Sequence, residues 1–198
     1  HNKNLFFIGA LGHSLDYKRS SGGFIHGFRY LIQFFYRYHF AKQFPVKVFE
    51  KSKLQDLVSH ILHRINSTSS LYQMYGVLTD LFYFKDNTIV YIEDVIQSYM
   101  DEPNVQEENS VYFQLTLEYG KDIITDIYKF GEKKSDIGTE SKSTLLHPVL
   151  RIYKNGPGSK KMIQDIVHFD EDLLANYTFP EKYGEKFKRT LHAYVSIG

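Results

Sequence analysis

The residues best placed to do chemistry are two adjacent glycines, Gly22 and Gly23, which follow a polar loop and precede an amphipathic stretch. Before the loop, the apolar segment Asn4–Gly9 predicts a short buried strand, and apolar spacing predicts a helix from Gly23 to about Ala41. The unpaired N–H groups and positive dipole end of such a helix stabilise negative charge, and glycines let a ligand approach the backbone. This order favours a site for a nucleotide cofactor. The alternative is an ordinary strand-to-helix turn with glycines for steric reasons.

The loop between the strand and the helix is polar. Ser20 or Ser21 is predicted to cap the helix, because serine side chains accept hydrogen bonds from helix N-terminal N–H groups. Four side chains would face a ligand held at this loop, unless water simply solvates them: His13, Asp16, Lys18 and Arg19.

Several other chemistries are excluded by what the sequence lacks. With no cysteine there is no disulfide, thiol nucleophile or thiolate metal site, so any redox chemistry requires a cofactor. HExxH, P-loop, GxSxG and GxGxxG patterns are all absent. His60 and His63 share a predicted helix face, but they have no third ligand nearby in sequence. A solvated polar face is favoured there, and no metal site is predicted.

Charge is unevenly distributed along the 198 residues, although the net charge is only +1. Residues 1–64 carry ten Lys/Arg against three Asp/Glu, and residues 65–198 carry fourteen against twenty. The low net charge predicts no general attraction to nucleic acid. The basic part suits a cofactor diphosphate or an acidic neighbour.

No apolar run is long enough for a membrane span and no secretory leader is visible, so we expect a piece of something longer.

The remainder of the chain predicts an α+β unit. Leu71–Phe84 is ambiguous between helix and strand, Glu93–Tyr99 is predicted to turn helical, and Pro148 is expected at a sheet edge or bulge. The domain boundary is predicted near residues 42–52, which divides the chain into 1–45 and 46–198. The other predicted elements are a helix over Lys53–Ile65, strands over Thr88–Ile92 and Ser110–Tyr119, a hairpin of Leu145–Tyr153 with Met162–His168, and a closing helix over Pro180–Val195.

Two triplets fit the acceptor pattern for N-glycosylation. They begin at Asn66 and Asn176. Such triplets arise often by chance, so they permit a secretory location without requiring one.

The segment Gly9–Tyr30 closely resembles the last FAD-contacting segment of the FAD-dependent oxidoreductase domain-containing flavoproteins, a family similar to flavin-containing monooxygenases. The resemblance continues, in order, through Ser70–Asp80, Leu117–Lys121 and Leu146–Val149. It therefore covers most of the chain, with the acidic and polar loops as the divergent parts.

The resemblance implies a fold and a cofactor site. The fold would be α+β, a fragment of an α/β flavoprotein. Residues 1–45 would supply the closing strand–loop–helix of a Rossmann-like FAD-binding domain, and residues 46–198 an α+β appendage. Many related flavoproteins have Gly-Asp where this chain has Gly9-Ala10, so another group, such as Asp16, must bind the ribityl hydroxyls. The implied FAD-binding residues are Gly9 at the strand end, Leu11, His13, Ser14 and Asp16 beside the ribityl and flavin, and Ser21, Gly22, Gly23 and Phe24 at the pyrimidine edge.

The function implied by the resemblance is that of an FAD-dependent oxidoreductase of the endoplasmic reticulum lumen. The parent protein would be reduced by NADH or NADPH and linked to degradation of misfolded proteins, with disulfide-handling or lectin-like quality-control partners. No side chain is assigned as a catalytic acid, base or nucleophile, and the isolated fragment is expected to be inactive. The alternative is a non-catalytic protein-interaction module, with the aromatic-rich residues 52–198 as its platform.

Overall fold

The computed structural model describes residues 5–11, 20–101, 111–119, 143, 145–155, 161–169, 177 and 183–195. These residues form four α-helices and six strands. The helices are α1 (Ile25–Tyr36), which a π-helical turn extends over Arg37–Ala41, α2 (Leu54–Ser67), α3 (Ser69–Gln73) and α4 (Glu185–Val195). The strands are β1 (Val46–Glu50), β2 (Leu78–Lys85), β3 (Thr88–Ile96), β4 (Val111–Glu118), β5 (His147–Asn155) and β6 (Lys161–His168).

The six strands form one sheet in the order β1-β3-β2-β4-β5-β6, and every neighbouring pair is antiparallel. Strands β2 and β3 are a hairpin across Asp86 and Asn87, and β5 and β6 pair as predicted. β1 lies at one edge of the sheet, where it pairs with β3. An antiparallel sheet with helices packed on it confirms the α+β class.

The larger core lies on one face of the sheet, beneath α2 and α4. Strand residues alternate between faces, so the apolar side chains of β4 that share this face all enter the core. Phe82 and Phe113 stack there with ring centroids 4.8 Å apart. Burial of these apolar surfaces is the main stabilising contribution. The core includes Leu57, Ile61 and Ile65 of α2, Val111, Phe113, Leu115 and Leu117 of β4, and Phe187 and Leu191 of α4.

The opposite face carries a smaller aromatic core, to which α1 contributes. Phe34 of α1 packs there with Leu81, Ile92 and Tyr112. Tyr30, one turn earlier, packs instead against the larger core. Helix α1 therefore contacts both cores, and the boundary between residues 1–45 and 46–198 stays a prediction.

The predicted helices and strands correspond to the observed ones, with three exceptions. Leu5–Ile8 is irregular rather than a strand, because a strand needs a neighbour to hydrogen-bond and the described residues supply none. Glu93–Tyr99 is not helical as predicted: β3 continues to Ile96, and a short 3-10 turn follows. Pro148 lies on an interior strand, not at an edge, and the β5–β6 irregularity is at Ile152/Tyr153. The Pro148 carbonyl accepts from the Phe169 N–H at 3.0 Å, just beyond the end of the ladder, so the missing proline N–H removes only the reciprocal bond of this last pair.

None of the described helices is both long and apolar enough to cross a bilayer.

Candidate functional site

The loop that carries the two glycines ends at the start of α1. The N-cap residue of α1 is Phe24, and no side chain caps it. The Phe24 N–H donates to the Ser21 carbonyl at 3.0 Å, and the Gly22 N–H donates to Ser20 Oγ at 3.1 Å. The prediction that Ser20 or Ser21 caps the helix is therefore wrong: the Ser20 hydroxyl closes a turn before the helix, and the Ser21 carbonyl accepts from the N-cap residue itself rather than from a helical N–H group.

The beginning of α1 presents unpaired donors and apolar surface to the outside. Gly27 N–H donates to the Phe24 carbonyl at 2.9 Å, which leaves the N–H groups of Ile25 and His26 without a partner among the described residues. Phe24 is 65% exposed and Ile25 71%, and the Phe24 ring stacks on the His26 ring with centroids 5.5 Å apart. Two free N–H groups at the positive end of a helix suit electron-rich atoms, and the neighbouring aromatic face suits a planar ring.

The loop is held to the rest of the fold by two close contacts. Ser21 N–H donates to the carbonyl of Gln73, the last residue of α3, at 2.8 Å. On the other side, a Cβ added to Gly27 would lie 2.1 Å from the Ser21 carbonyl oxygen, so the loop packs directly on that glycine. The start of α1 is thus positioned by α3 and by its own first turn.

The remaining predicted cofactor residues are only partly described. Gly9 has φ of 68°, a conformation that favours glycine, and Leu11 is 75% exposed. His13, Ser14 and Asp16 lie outside the described residues. Ser21, Gly22, Gly23 and Phe24 are consecutive residues that lie at the start of α1, and whether any of the predicted residues binds FAD stays a prediction.

The two predicted glycosylation sites also stay predictions. Asn66 lies on α2, where its side-chain N–H donates to the Leu62 carbonyl at 2.8 Å and its Oδ1 accepts from the Tyr177 N–H at 2.6 Å. Asn176 lies outside the described residues. In this structure the Asn66 amide joins α2 to the segment before α4.

Sequence reasoning missed a buried ionic network centred on Arg64 of α2. Its guanidinium donates to both carboxylate oxygens of Asp80, at 2.7 and 2.8 Å, and to Asp94 Oδ1 at 2.8 Å. The hydroxyl of Tyr91 donates to Asp80 Oδ2 at 2.8 Å. Such bidentate, charge-assisted bonds are the strong ones in proteins. A signal existed in the sequence: Asp80 is a lone carboxylate in an apolar stretch, and a buried charge requires a partner.

A β-bulge creates the geometry of this network. The register between β2 and β3 shifts between Thr79 and Leu81, so Asp80 faces two residues of β3. One of them, Asp94, has φ of 57°, which is uncommon outside glycine, and its N–H donates to Asp80 Oδ1 at 3.0 Å. The bulge turns the backbone donor and the carboxylate of Asp94 toward the ion pair.

The charges of the network shift several pKa values. Burial raises the pKa of Asp80 above its usual value, although the hydrogen bonds and charge of Arg64 act in the opposite direction. The nearby His60 imidazole, with the charges of Arg64 and Lys47, lowers the pKa of Glu93 to about 2 in spite of burial. His60 Nε2 and Lys47 Nζ lie 3.3 and 3.2 Å from Glu93 Oε1.

Among the described residues, no group of three or more histidines and carboxylates could hold a metal ion.

The network is joined to the glycine loop through α3. Ser70, in the first turn of α3, donates a short hydrogen bond to Asp94 Oδ1, and Thr68 pairs with Ser70 at 2.6 Å. The last residue of the same helix, Gln73, accepts from Ser21 N–H. Helix α3 therefore connects the ion pair to the loop that precedes α1.

A second polar cluster lies on the other face, over β4, β5 and β6. Arg151 donates to both carboxylate oxygens of Glu118, and these bonds lower the pKa of Glu118 although burial alone would raise it. Nearby, His147 Nε2 lies 2.9 Å from His168 Nδ1, and His147 Nδ1 donates to the Leu145 carbonyl at 2.9 Å. The cluster joins the three strands.

The fold and the loop define an α+β unit in which the N-terminal end of the first helix is exposed. This is consistent with a fragment of an FAD-binding oxidoreductase domain. The chain is 33% identical over 208 residues to FAD-dependent oxidoreductase domain-containing protein 2 of Danio rerio, and 29% identical over 202 residues to the protein of that name in Mus musculus. These alignments cover 95% and 90% of this chain but only 30% of each relative. The similarity supports an assignment of this chain to the FAD-dependent oxidoreductase family. No protein-family model and no solved structure matches the chain.

Proposed function

We propose that this chain is the part of a longer FAD-dependent oxidoreductase that closes the FAD site with the start of α1. The observation that carries the proposal is the open helix end, where the N–H groups of Ile25 and His26 are unpaired among the described residues beside exposed Phe24. Similarity to two proteins named for FAD-dependent oxidoreductase domains supports it. FAD, when bound, supplies the redox chemistry, and this chain contributes binding and orientation.

The residues that would hold FAD are those of the loop and the helix start. Ser21, Gly22, Gly23 and Phe24 form a unit that is fixed against Gln73 of α3. Gly9 and Leu11, with His13, Ser14 and Asp16, would complete the contact. The positive end of a helix contributes roughly 0.3–2 kcal/mol toward negative charge, so this segment tunes and orients FAD rather than holding it unaided.

The first test is the visible absorption spectrum of the full-length protein. We expect bands of bound flavin that bleach anaerobically when NADPH or NADH is added, which would also identify the donor. A colourless, folded full-length protein would overturn the proposal and leave the interaction-module alternative as the better account.

A sharper test removes one donor from the helix start. Proline is accepted at the first helical position, and the extended Phe24 (φ −118°, ψ 151°) already has the conformation that precedes proline. Ile25→Pro in the full-length protein should weaken FAD binding about ten-fold, the cost of one hydrogen bond to a charged group. Ile25→Ala keeps the N–H and should bind as the parent does. Equal FAD affinity of the two variants would contradict the assignment of this helix end to FAD.

We further propose that the full-length protein is a flavoprotein of the endoplasmic reticulum lumen that is associated with degradation of misfolded proteins. Disulfide-handling or lectin-like proteins of that compartment would be its partners. The sequence resemblance supports this proposal, and the triplets at Asn66 and Asn176 permit it. Protease protection of the protein in intact microsomes, with a mobility shift on glycosidase treatment, would support it; digestion without detergent would exclude it.

A further inference from the structure

The open edge of β1 offers backbone hydrogen-bonding groups in a regular pattern. Glu93 N–H donates to the Pro45 carbonyl at 3.4 Å, and Lys51 N–H donates to the Asn87 carbonyl at 3.0 Å. These two bonds set the phase of the β1–β3 ladder, in which alternate residues face the partner strand. The N–H and C=O groups of Val46, Val48 and Glu50 therefore point away from β3, and no described strand pairs with them.

The side chains along this edge are apolar and exposed. Val46 and Val48 are 50% and 62% exposed, and they extend the face on which Ile92 is buried. An open pocket of about 440 Å³ adjoins the start of the strand. Its lining consists of Lys42, Gln43, Phe44, Val46, Ile92 and Tyr99.

The lysine of this strand lies on the face of the sheet opposite the apolar pocket. Proteins commonly place lysines on an edge to prevent pairing with other chains. The lysine within β1, Lys47, is instead on the opposite face of the sheet, where it pairs with Glu93 at 3.2 Å. The residues whose backbone faces outward are two valines and Glu50, whose exposed carboxylate lies 3.0 Å from Lys53 Nζ.

The pocket carries a positive charge without a carboxylate partner. Among the described residues Lys42 forms no ion pair, and its Nζ lies 5.4 Å from the centroid of the Tyr38 ring. Its φ of 52° is left-handed, a conformation in which helix ends normally have glycine. A lysine there brings charge to the pocket at a conformational cost.

From these features we propose that β1 binds an extended segment of a partner protein as a seventh strand. An apolar side chain of that segment enters the pocket beside Phe44 and Tyr99, and a carboxylate pairs with Lys42. Main-chain hydrogen bonds to Val46, Val48 and Glu50 supply affinity, and the pocket and Lys42 supply selectivity. This inference is independent of the FAD site.

The test uses the full-length protein and a displayed library of random peptides about ten residues long, the length of a long strand. We expect enrichment of peptides with alternating apolar residues and an acidic residue. The most enriched peptide, labelled with a fluorophore, then serves as the probe in binding titrations. Absence of enrichment would overturn the proposal.

Two variant pairs locate the binding. Val48→Pro removes an outward N–H without touching the β1–β3 ladder, and Val48→Thr retains that N–H. Lys42→Gly removes the charge while it suits the left-handed φ, and Lys42→Arg keeps the charge. We expect Val48→Pro and Lys42→Gly each to weaken the probe about ten-fold, with Val48→Thr and Lys42→Arg close to the parent.

Two outcomes would contradict the proposal. A probe that binds Val48→Pro as tightly as Val48→Thr would place the peptide elsewhere. Slow hydrogen exchange of the Val46 and Val48 amides in the free full-length protein would mean that its own chain already pairs with β1. FAD content should be equal in all four variants, which separates this inference from the proposed oxidoreductase function.

Discussion

At the scale of single residues, Arg64 makes the burial of Asp80 tolerable. Asp80 has no exposed surface, and Arg64 also pairs with Asp94. We predict that Arg64→Met destabilises the protein by about 3–5 kcal/mol, because it leaves an uncompensated buried carboxylate. The loss should shrink as the pH falls, since protonation neutralises Asp80. Urea unfolding of the parent protein and of Arg64→Met at different pH values measures this loss of stability. Arg64→Lys, which keeps the charge without the bidentate geometry, should lose less, and a loss below about 1 kcal/mol in Arg64→Met would contradict the account.

Glu93 gives the network a pH dependence of known sign. Its pKa is lowered from 4.5 to about 2 in the folded protein, so its ionised form stabilises the fold above pH 4.5 and this contribution is lost as the pH falls through about 2. We predict that Glu93→Gln is less stable than the parent by about 1 kcal/mol at pH 6, with a difference that closes toward pH 2.

Urea unfolding of parent and variant at several pH values between 6 and 3 would measure that difference. Glu50→Gln is the matched control, because the Glu50–Lys53 pair is fully solvated and should contribute little. A difference between parent and Glu93→Gln that does not change with pH would show that Glu93 acts through packing rather than charge.

Sequence patterns pointed to the candidate residues of the glycine loop and missed the ionic network around Arg64, and the difference has a physical reason. Ser21, Gly22, Gly23 and Phe24 are adjacent in the chain, so a local pattern revealed them. Arg64, Asp80 and Asp94 come from three elements and meet only after β2 and β3 pair through a bulge. A bulge shifts which residues face each other, and nothing in local periodicity specifies it.

At the scale of elements, periodicity predicted those with a clear apolar face. Helix α2 and strand β4 have their apolar residues at helical and alternating spacing, and both were predicted within two residues of their bounds. The Leu5–Ile8 segment has apolar composition but no strand partner, so composition alone misled the prediction. Glu93–Tyr99 was predicted to turn helical, but β3 continues to Ile96 through the bulge at which Asp94 is left-handed.

Gly27 allows a test of how α1 holds its loop. Alanine normally stabilises a helix relative to glycine by about 0.8–1 kcal/mol. At Gly27 the opposite is expected, because the added Cβ would lie 2.1 Å from the Ser21 carbonyl and displace the loop. We predict a lower melting temperature and weaker FAD binding for Gly27→Ala in the full-length protein. His26→Ala, an exposed change on the same turn, should not lower the melting temperature, and a stabilised Gly27→Ala would contradict the observed packing.

At the scale of the whole molecule, the distribution of apolar surface argues that this chain works within a larger body. Exposed apolar residues concentrate in residues 5–11 and at the start of α1, and they include Leu5, Phe6, Phe7, Ile8, Leu11, Phe24 and Ile25. Contiguous exposed apolar surface on soluble proteins commonly marks a contact site. The chain spans about 30% of the length of the relatives it matches, and the remaining 70% of those relatives is long enough to cover a surface of this kind.

The last prediction compares the 198-residue chain with the full-length protein. The chain alone should bind FAD weakly, because no GxGxxG segment is present to hold the pyrophosphate, and the end of α1 contributes too little by itself. It should also bind a hydrophobic dye such as ANS through residues 5–11 and the start of α1, whereas the full-length protein should bind FAD tightly and the dye poorly. Titration of both proteins with FAD and ANS measures these differences. Tight, stoichiometric FAD in the chain alone would mean that this unit carries a complete flavin site.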